Sequence, residues 1–115
     1  MKKLRIWLDD ERSMPDDFDE HLKVAELVIE MIKTGIVEFI SLDNDLGIGR
    51  QEGRTVAEFI EKAYISGDID FVDFHPHTQN PVAFDAIMAC KRAVYKHKLN
   101  KKYEKNMDNS PSSCR

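Results

Sequence analysis

Residues 37–47 read Val37-Glu38-Phe39-Ile40-Ser41-Leu42-Asp43-Asn44-Asp45-Leu46-Gly47. An apolar run of strand length passes directly into acids and a glycine. A short apolar run bounded by turn residues is the pattern of a buried strand, and the polar stretch after it ends strand pairing. The transition recurs twice. Leu4-Arg5-Ile6-Trp7-Leu8 runs into Asp9-Asp10, and Ile69-Asp70-Phe71-Val72-Asp73-Phe74 reaches His75-Pro76-His77. Three strand candidates that end in residues able to do chemistry decide the fold class.

Helical periodicity fills the intervals. Val24, Leu27, Val28, Met31 and Ile32 fall at i, i+3, i+4, i+7 and i+8, one apolar helix face, and Gly35 stops it. Residues 21–25 fit either the first turn of this helix or a short edge strand. Gly47 to Gly53 holds three glycines and reads as a loop. Thr55 with Glu58 forms a capping box for a second helix, striped by Val56, Phe59, Ile60, Ala63 and Tyr64 and ended by Gly67. Asn80-Pro81 starts a third helix, because Asn caps and Pro suits the first helical position. Ala83, Ile87, Cys90 and Val94 mark its buried face. The alternation of strands and helices predicts an α/β layer fold with a parallel sheet and right-handed crossovers. The apolar pattern fails near Leu99, so the expected organisation is one domain over 1–98 and a basic, polar tail over 99–115. Disorder is expected from Asn106 onward.

The chain has 115 residues, 42% hydrophobic and 33% charged, which suits one globular domain. Its net charge of −4 hides an asymmetry: residues 1–90 carry 9 basic and 19 acidic side chains, and residues 91–115 carry 8 basic and 2 acidic. No apolar run is long enough to span a membrane, and Asp9-Asp10 interrupts the N-terminus too early for a signal peptide. Cys90 and Cys114 fit no disulfide framework or zinc ribbon, so we expect a cytoplasmic protein with reduced thiols.

Ligands of open parallel sheets bind beyond the carboxyl ends of the strands. Asp9-Asp10, Asp43-Asn44-Asp45 and His75-Pro76-His77 all occupy that edge. Converging carboxylates repel, and a hard divalent cation relieves the repulsion while leaving positions for phosphate oxygens. Mg²⁺ suits carboxylates, and Mn²⁺ accepts an imidazole more readily. A calcium loop starting at Asp43 is rejected, since its sixth position is Ile48 and its twelfth Arg54. A zinc pair on His75 and His77 lacks further ligands. His77 has the chemistry for acid–base work near neutrality. Thr78, Asn80 and the positive end of the helix at Pro81 favour an anion. Arg12, Arg50 and Arg54 can add paired hydrogen bonds to phosphate. The set suits a phosphate ester.

Three stretches resemble the cyclic-phosphate processing receiver-like domains, compact relatives of response-regulator receivers. They are Leu8-Asp9-Asp10-Glu11-Arg12 with Pro15, Ile40 to Gly47, and His77-Thr78-Gln79-Asn80-Pro81-Val82. The resemblance covers roughly residues 3–96. It implies a compact three-layer receiver-like (flavodoxin-like) α/β fold with a short, mostly parallel sheet. By motif position it implies that Asp9 and Asp10 match the metal-binding pair and Asp43 the acceptor. Joined to the reading of the residues, we expect a cation held by Asp9, Asp10, Asp43 and Asp45, catalysis by His77, Asp43 and Asn80, and substrate contacts from Arg12, Thr78 and Arg54. The implied reaction is metal-dependent hydrolysis of a cyclic phosphate, on a nucleotide or a 2′,3′-cyclic phosphate RNA end. An aspartyl phosphate on Asp43 is an alternative route. The chain departs from the family pattern at Ala83 and at Glu52-Gly53, and Lys91 and Lys96 do not match the late lysine of signalling receivers. A non-catalytic module binding a nucleotide or protein, and an aspartate phosphoacceptor switch, stay open beside the enzyme. The basic C-terminus is a candidate RNA contact.

Overall fold

The computed structural model describes residues 2–45 and 52–108. Strand β1 spans Leu4–Leu8, β2 Glu20–Leu22, β3 Val37–Leu42 and β4 Asp73–Pro76; helices α1, α2 and α3 span Ala25–Lys33, Gly53–Ser66 and Pro81–Asp108. The strands form one sheet in the order β2-β1-β3-β4. Every neighbouring pair is parallel, with Leu8 opposite Leu22 and Leu42, and Leu42 opposite Pro76. This is the α/β class that the strand–helix alternation predicts.

Successive strand residues point to opposite faces of a sheet. Ile6, Leu8, Ile40, Leu42 and Phe74 share one face and are fully buried. They form a single core with Val28 and Ile32 of α1, Val56 and Ile60 of α2, and Ile87 and Val94 of α3. All three helices therefore lie on this face. The other face bears Arg5, Trp7, Phe39 and Ser41 and is closed by the segment between β1 and β2. There Phe18 packs on the Trp7 ring at 5.3 Å and on Phe39 at 6.0 Å. The Arg5 guanidinium lies over Phe18 and Phe39 at 5.0 and 4.7 Å. The indole N–H of Trp7 donates to the Arg12 carbonyl at 3.3 Å. The three layers are thus helices, sheet and this segment.

One open local reading is decided and three others change. Residues 20–22 form the short edge strand, pairing with Ile6 to Leu8, and α1 begins only at Ala25. The third expected strand moves toward the carboxyl end. Phe71 is taken up by Tyr64 and Tyr95, whose rings meet it edge-on at 5.8 and 5.5 Å. Pairing with β3 starts at Asp73. Helix α2 starts at Gly53 with no side-chain cap, so the capping box at Thr55 and Glu58 does not form. Helix α3 runs on past Leu99 to Asp108, so residues 99–108 are helical. Lys98 and Lys101 hold this part to the body, their ammonium groups 3.7 and 5.2 Å from the Phe71 and Tyr64 rings. The expected disorder beyond Asp108, Cys114 and the calcium-loop positions 46–51 all lie outside the described residues.

Candidate metal centre

Strands β1, β3 and β4 each hand their next residue to the same edge. The Asp9 N–H donates to the Leu22 carbonyl at 3.1 Å, that of Asp43 to Leu8 at 2.9 Å, and that of His77 to Leu42 at 2.9 Å. The parallel ladder thus continues one residue beyond β1, β3 and β4 and aligns Asp9, Asp43 and His77. Asp10 joins them: carboxylate oxygens of Asp9, Asp10 and Asp43 all lie within 4.8 Å of one another.

The three acids differ in their support. Asp9 is fully buried. Its Oδ1 accepts the backbone N–H groups of Glu11 and Arg12, both at 2.8 Å, and its Oδ2 faces His77 Nε2 at 2.9 Å. Burial favours the neutral acid, but these donors outweigh it and hold the Asp9 carboxyl below its ordinary range. Asp43 is also buried and is pushed upward, first by desolvation and then by the charge of Asp9. Asp10 stands half-buried beside them. Two buried carboxylates side by side, one raised by the other, form a donor set that fits a hard divalent cation.

His77 is held on three sides. Its ring stacks on Trp7 with centroids 3.9 Å apart and planes 3° from parallel. Nδ1 meets Ser41 Oγ at 2.7 Å while Nε2 faces Asp9. A carboxylate only accepts, so Nε2 carries the proton and Nδ1 accepts from the Ser41 hydroxyl. Burial pushes the His77 pKa down despite the Asp9 carboxylate beside it. The pair is therefore a neutral imidazole donating to a carboxylate. Ser41 was not among the sequence candidates. The signal was present: a buried hydroxyl between Ile40 and Leu42 needs a partner.

The remaining candidates take varied places. Arg12 Nη1 donates to the His77 carbonyl at 2.7 Å and lies 4.0 Å from Asp9 Oδ2, so its half-exposed guanidinium edges the acids. Thr78 Oγ1 accepts the Asn80 N–H at 3.2 Å. Asn80 Oδ1 caps α3 through the Val82 and Ala83 amides at 3.0 and 3.2 Å and makes no hydrogen bond to His77 among the described residues. Asp45 is exposed, accepts from Asn44 Nδ2 at 3.3 Å, and stands outside the three-acid group. Arg54 is exposed at the start of α2, where its backbone N–H donates to Asn44 Oδ1 at 3.3 Å. His75 turns away to Lys91, 3.2 Å from Nδ1, so no zinc pair forms with His77. Gly53 matters by what it lacks: a methyl group there would overlap the Asp43 carbonyl.

Neither a curated protein nor a solved structure matches the chain. A family model does, the Cyclic-phosphate processing Receiver domain, over residues 4–108. That span runs from the first residue of β1 to the last of α3 and includes every acid of the cluster, so the chain belongs to the cyclic-phosphate processing receiver domain family.

Proposed function

We propose that this domain is a metal-dependent phosphoesterase that opens a cyclic phosphate on a nucleotide or an RNA end. The observation that carries the reading is the group Asp9, Asp10 and Asp43 on a strand edge of a cyclic-phosphate processing family member. These three residues would hold Mg²⁺ or Mn²⁺, with Asp45 entering from the adjoining loop. When bound, such a cation polarises phosphoryl oxygens and lowers the pKa of a coordinated water. In the overall hydrolysis, water adds its oxygen to phosphorus, one ring P–O ester bond breaks, and a proton passes to the departing alkoxide. Arg12 stands where its guanidinium can take a phosphate oxygen. The Thr78 hydroxyl offers a neutral donor on the same edge, whereas the first amides of α3 are taken up by Asn80. His77 helps to keep Asp9 ionised and oriented, with its Nε2 at 2.9 Å from Asp9 Oδ2.

The test is incubation with cyclic nucleotides and RNA bearing 2′,3′-cyclic phosphate ends, with and without each cation, and products read by mass. A product 18 Da heavier than its substrate, one water by simple stoichiometry (about 18), is expected only with the cation. Asp43→Asn should abolish it. No product across the panel overturns the enzyme reading, and binding without turnover supports a non-catalytic module instead.

A further inference from the structure

The carboxyl-terminal half of α3 carries a second kind of surface. Tyr95, Leu99 and Tyr103 repeat every fourth residue, and their exposures rise from 41% through 54% to 62% along the helix. Residues three and four apart share a helix face, so these form one stripe. Arg92, Lys96, Lys98 and Lys102 flank it. The nearest acid in sequence, Glu104, lies about 140° around the axis from Leu99 at about 100° per residue. Tyr95, Lys96, Lys98, Leu99 and Lys102 line a shallow groove of about 510 Å³. Lys98 is engaged with Phe71. Arg92, Lys96 and Lys102 form no ion pair among the described residues. The stripe meets Asp73 at the Tyr95 hydroxyl and is remote from Asp9, Asp10 and Asp43. Eighteen residues separate Pro81 at the carboxyl edge from Leu99, which is about 27 Å of helix.

Cations interleaved with exposed phenol rings match one chemistry best. Phosphates meet lysine and arginine, and bases stack on tyrosine faces. Pairing of two such helices would bring like charges together. A lipid surface would favour a broad aliphatic face over two tyrosines and one leucine. We propose that the outer face of α3 from Arg92 to Tyr103 is a docking surface for single-stranded nucleic acid, separate from the acidic cluster.

The test is fluorescence anisotropy of the full chain with a labelled single-stranded oligonucleotide bearing an ordinary 3′-hydroxyl, in EDTA. The chelator keeps the acidic cluster out of the measurement. Binding is expected, with log K falling against log salt at a slope of about −2, for three phosphate contacts at about −0.7 each. The double variant Lys96→Glu, Lys102→Glu should lose more than about tenfold in affinity. Tyr103→Ala should lose about tenfold. All three positions are exposed, so far-ultraviolet circular dichroism should be unchanged. Four results each overturn the proposal: no binding, binding that neither variant weakens, tighter binding to phosphatidylserine vesicles than to the oligonucleotide, or self-association in sedimentation that Lys96→Glu removes.

Discussion

Ser41 supports the tautomer that Asp9 selects in His77. The Asp9 carboxylate only accepts, so the proton sits on Nε2, and the Ser41 hydroxyl donates to Nδ1. Ser41→Ala leaves Nδ1 without a protein donor in a buried place. We expect a loss of about 1–3 kcal/mol in chemical unfolding and a mixed tautomer population in ¹⁵N spectra of His77. A single unchanged tautomer would show that Trp7 and Asp9 suffice. The depressed pKa of His77 also sets a pH dependence. Its native form resists protonation, whereas the unfolded chain takes the proton near the ordinary value of about 6.5. The stability His77 supplies is therefore complete above that value and is lost as pH falls below it. Asp9, held below its ordinary range, adds a second loss at lower pH. Melting temperature against pH should fall more steeply between pH 7 and 5 in the native chain than in His77→Gln; parallel profiles would remove His77 as the cause. At this scale the sequence was legible where position implied chemistry. Asp9, Asp10 and Asp43 follow apolar runs and so sit at strand ends. Ser41 lies inside such a run, and its role depends on a residue 36 positions away.

Among the elements, α2 is set by one close approach. Its first residue, Gly53, donates its N–H to the Asn44 carbonyl at 3.2 Å and passes against the backbone of Asp43. With this contact the helix starts three residues ahead of Val56, where a cap at Thr55 would place its first turn. Gly53→Ala should force the two segments apart, at about 1–3 kcal/mol, and weaken divalent cation binding in calorimetry. A variant with unchanged stability would mean that the loop yields without effect. The apolar stripes of α1 and α2 were readable because each helix buries one face against the same sheet, although in α1 Val24 precedes the helix and Leu27 is exposed. The edge strand β2 was ambiguous because three residues carry no period. The bounds of β4 were displaced because Phe71 satisfies a hydrophobic pattern while packing on α2 and α3 instead of pairing. The length of α3 was missed for a related reason. Lys98 and Lys101 read as solvated charges, yet both lie on aromatic faces of the body.

For the molecule as a whole, part of the charge asymmetry follows the fold. Asp9, Asp10 and Asp43 meet at the carboxyl edge, and α3 carries its cations away from them. At the acidic end the structure holds Asp43 in an environment that penalises its charge. The penalty is full above its raised pKa and is relieved as pH falls through it. Asp43→Asn is therefore expected to raise the melting temperature without added metal. It should also cancel the gain that the proposed Mg²⁺ or Mn²⁺ would give the native chain, about 2.7 kcal/mol at a hundredfold excess over Kd. Equal response of both proteins to the cation would place the binding elsewhere. The class of fold was legible from order alone, whereas the single-sided placement of the helices was not. It follows from the lack of a helix between β1 and β2. The segment that stands there closes a sheet face through Phe18 and the Arg12 carbonyl, and it begins with Asp9 and Asp10. A cation held there as proposed would therefore also steady the segment that closes that face. Divalent cations should slow amide exchange as far along as Phe18 and Asp19, well beyond any residue that touches the ion.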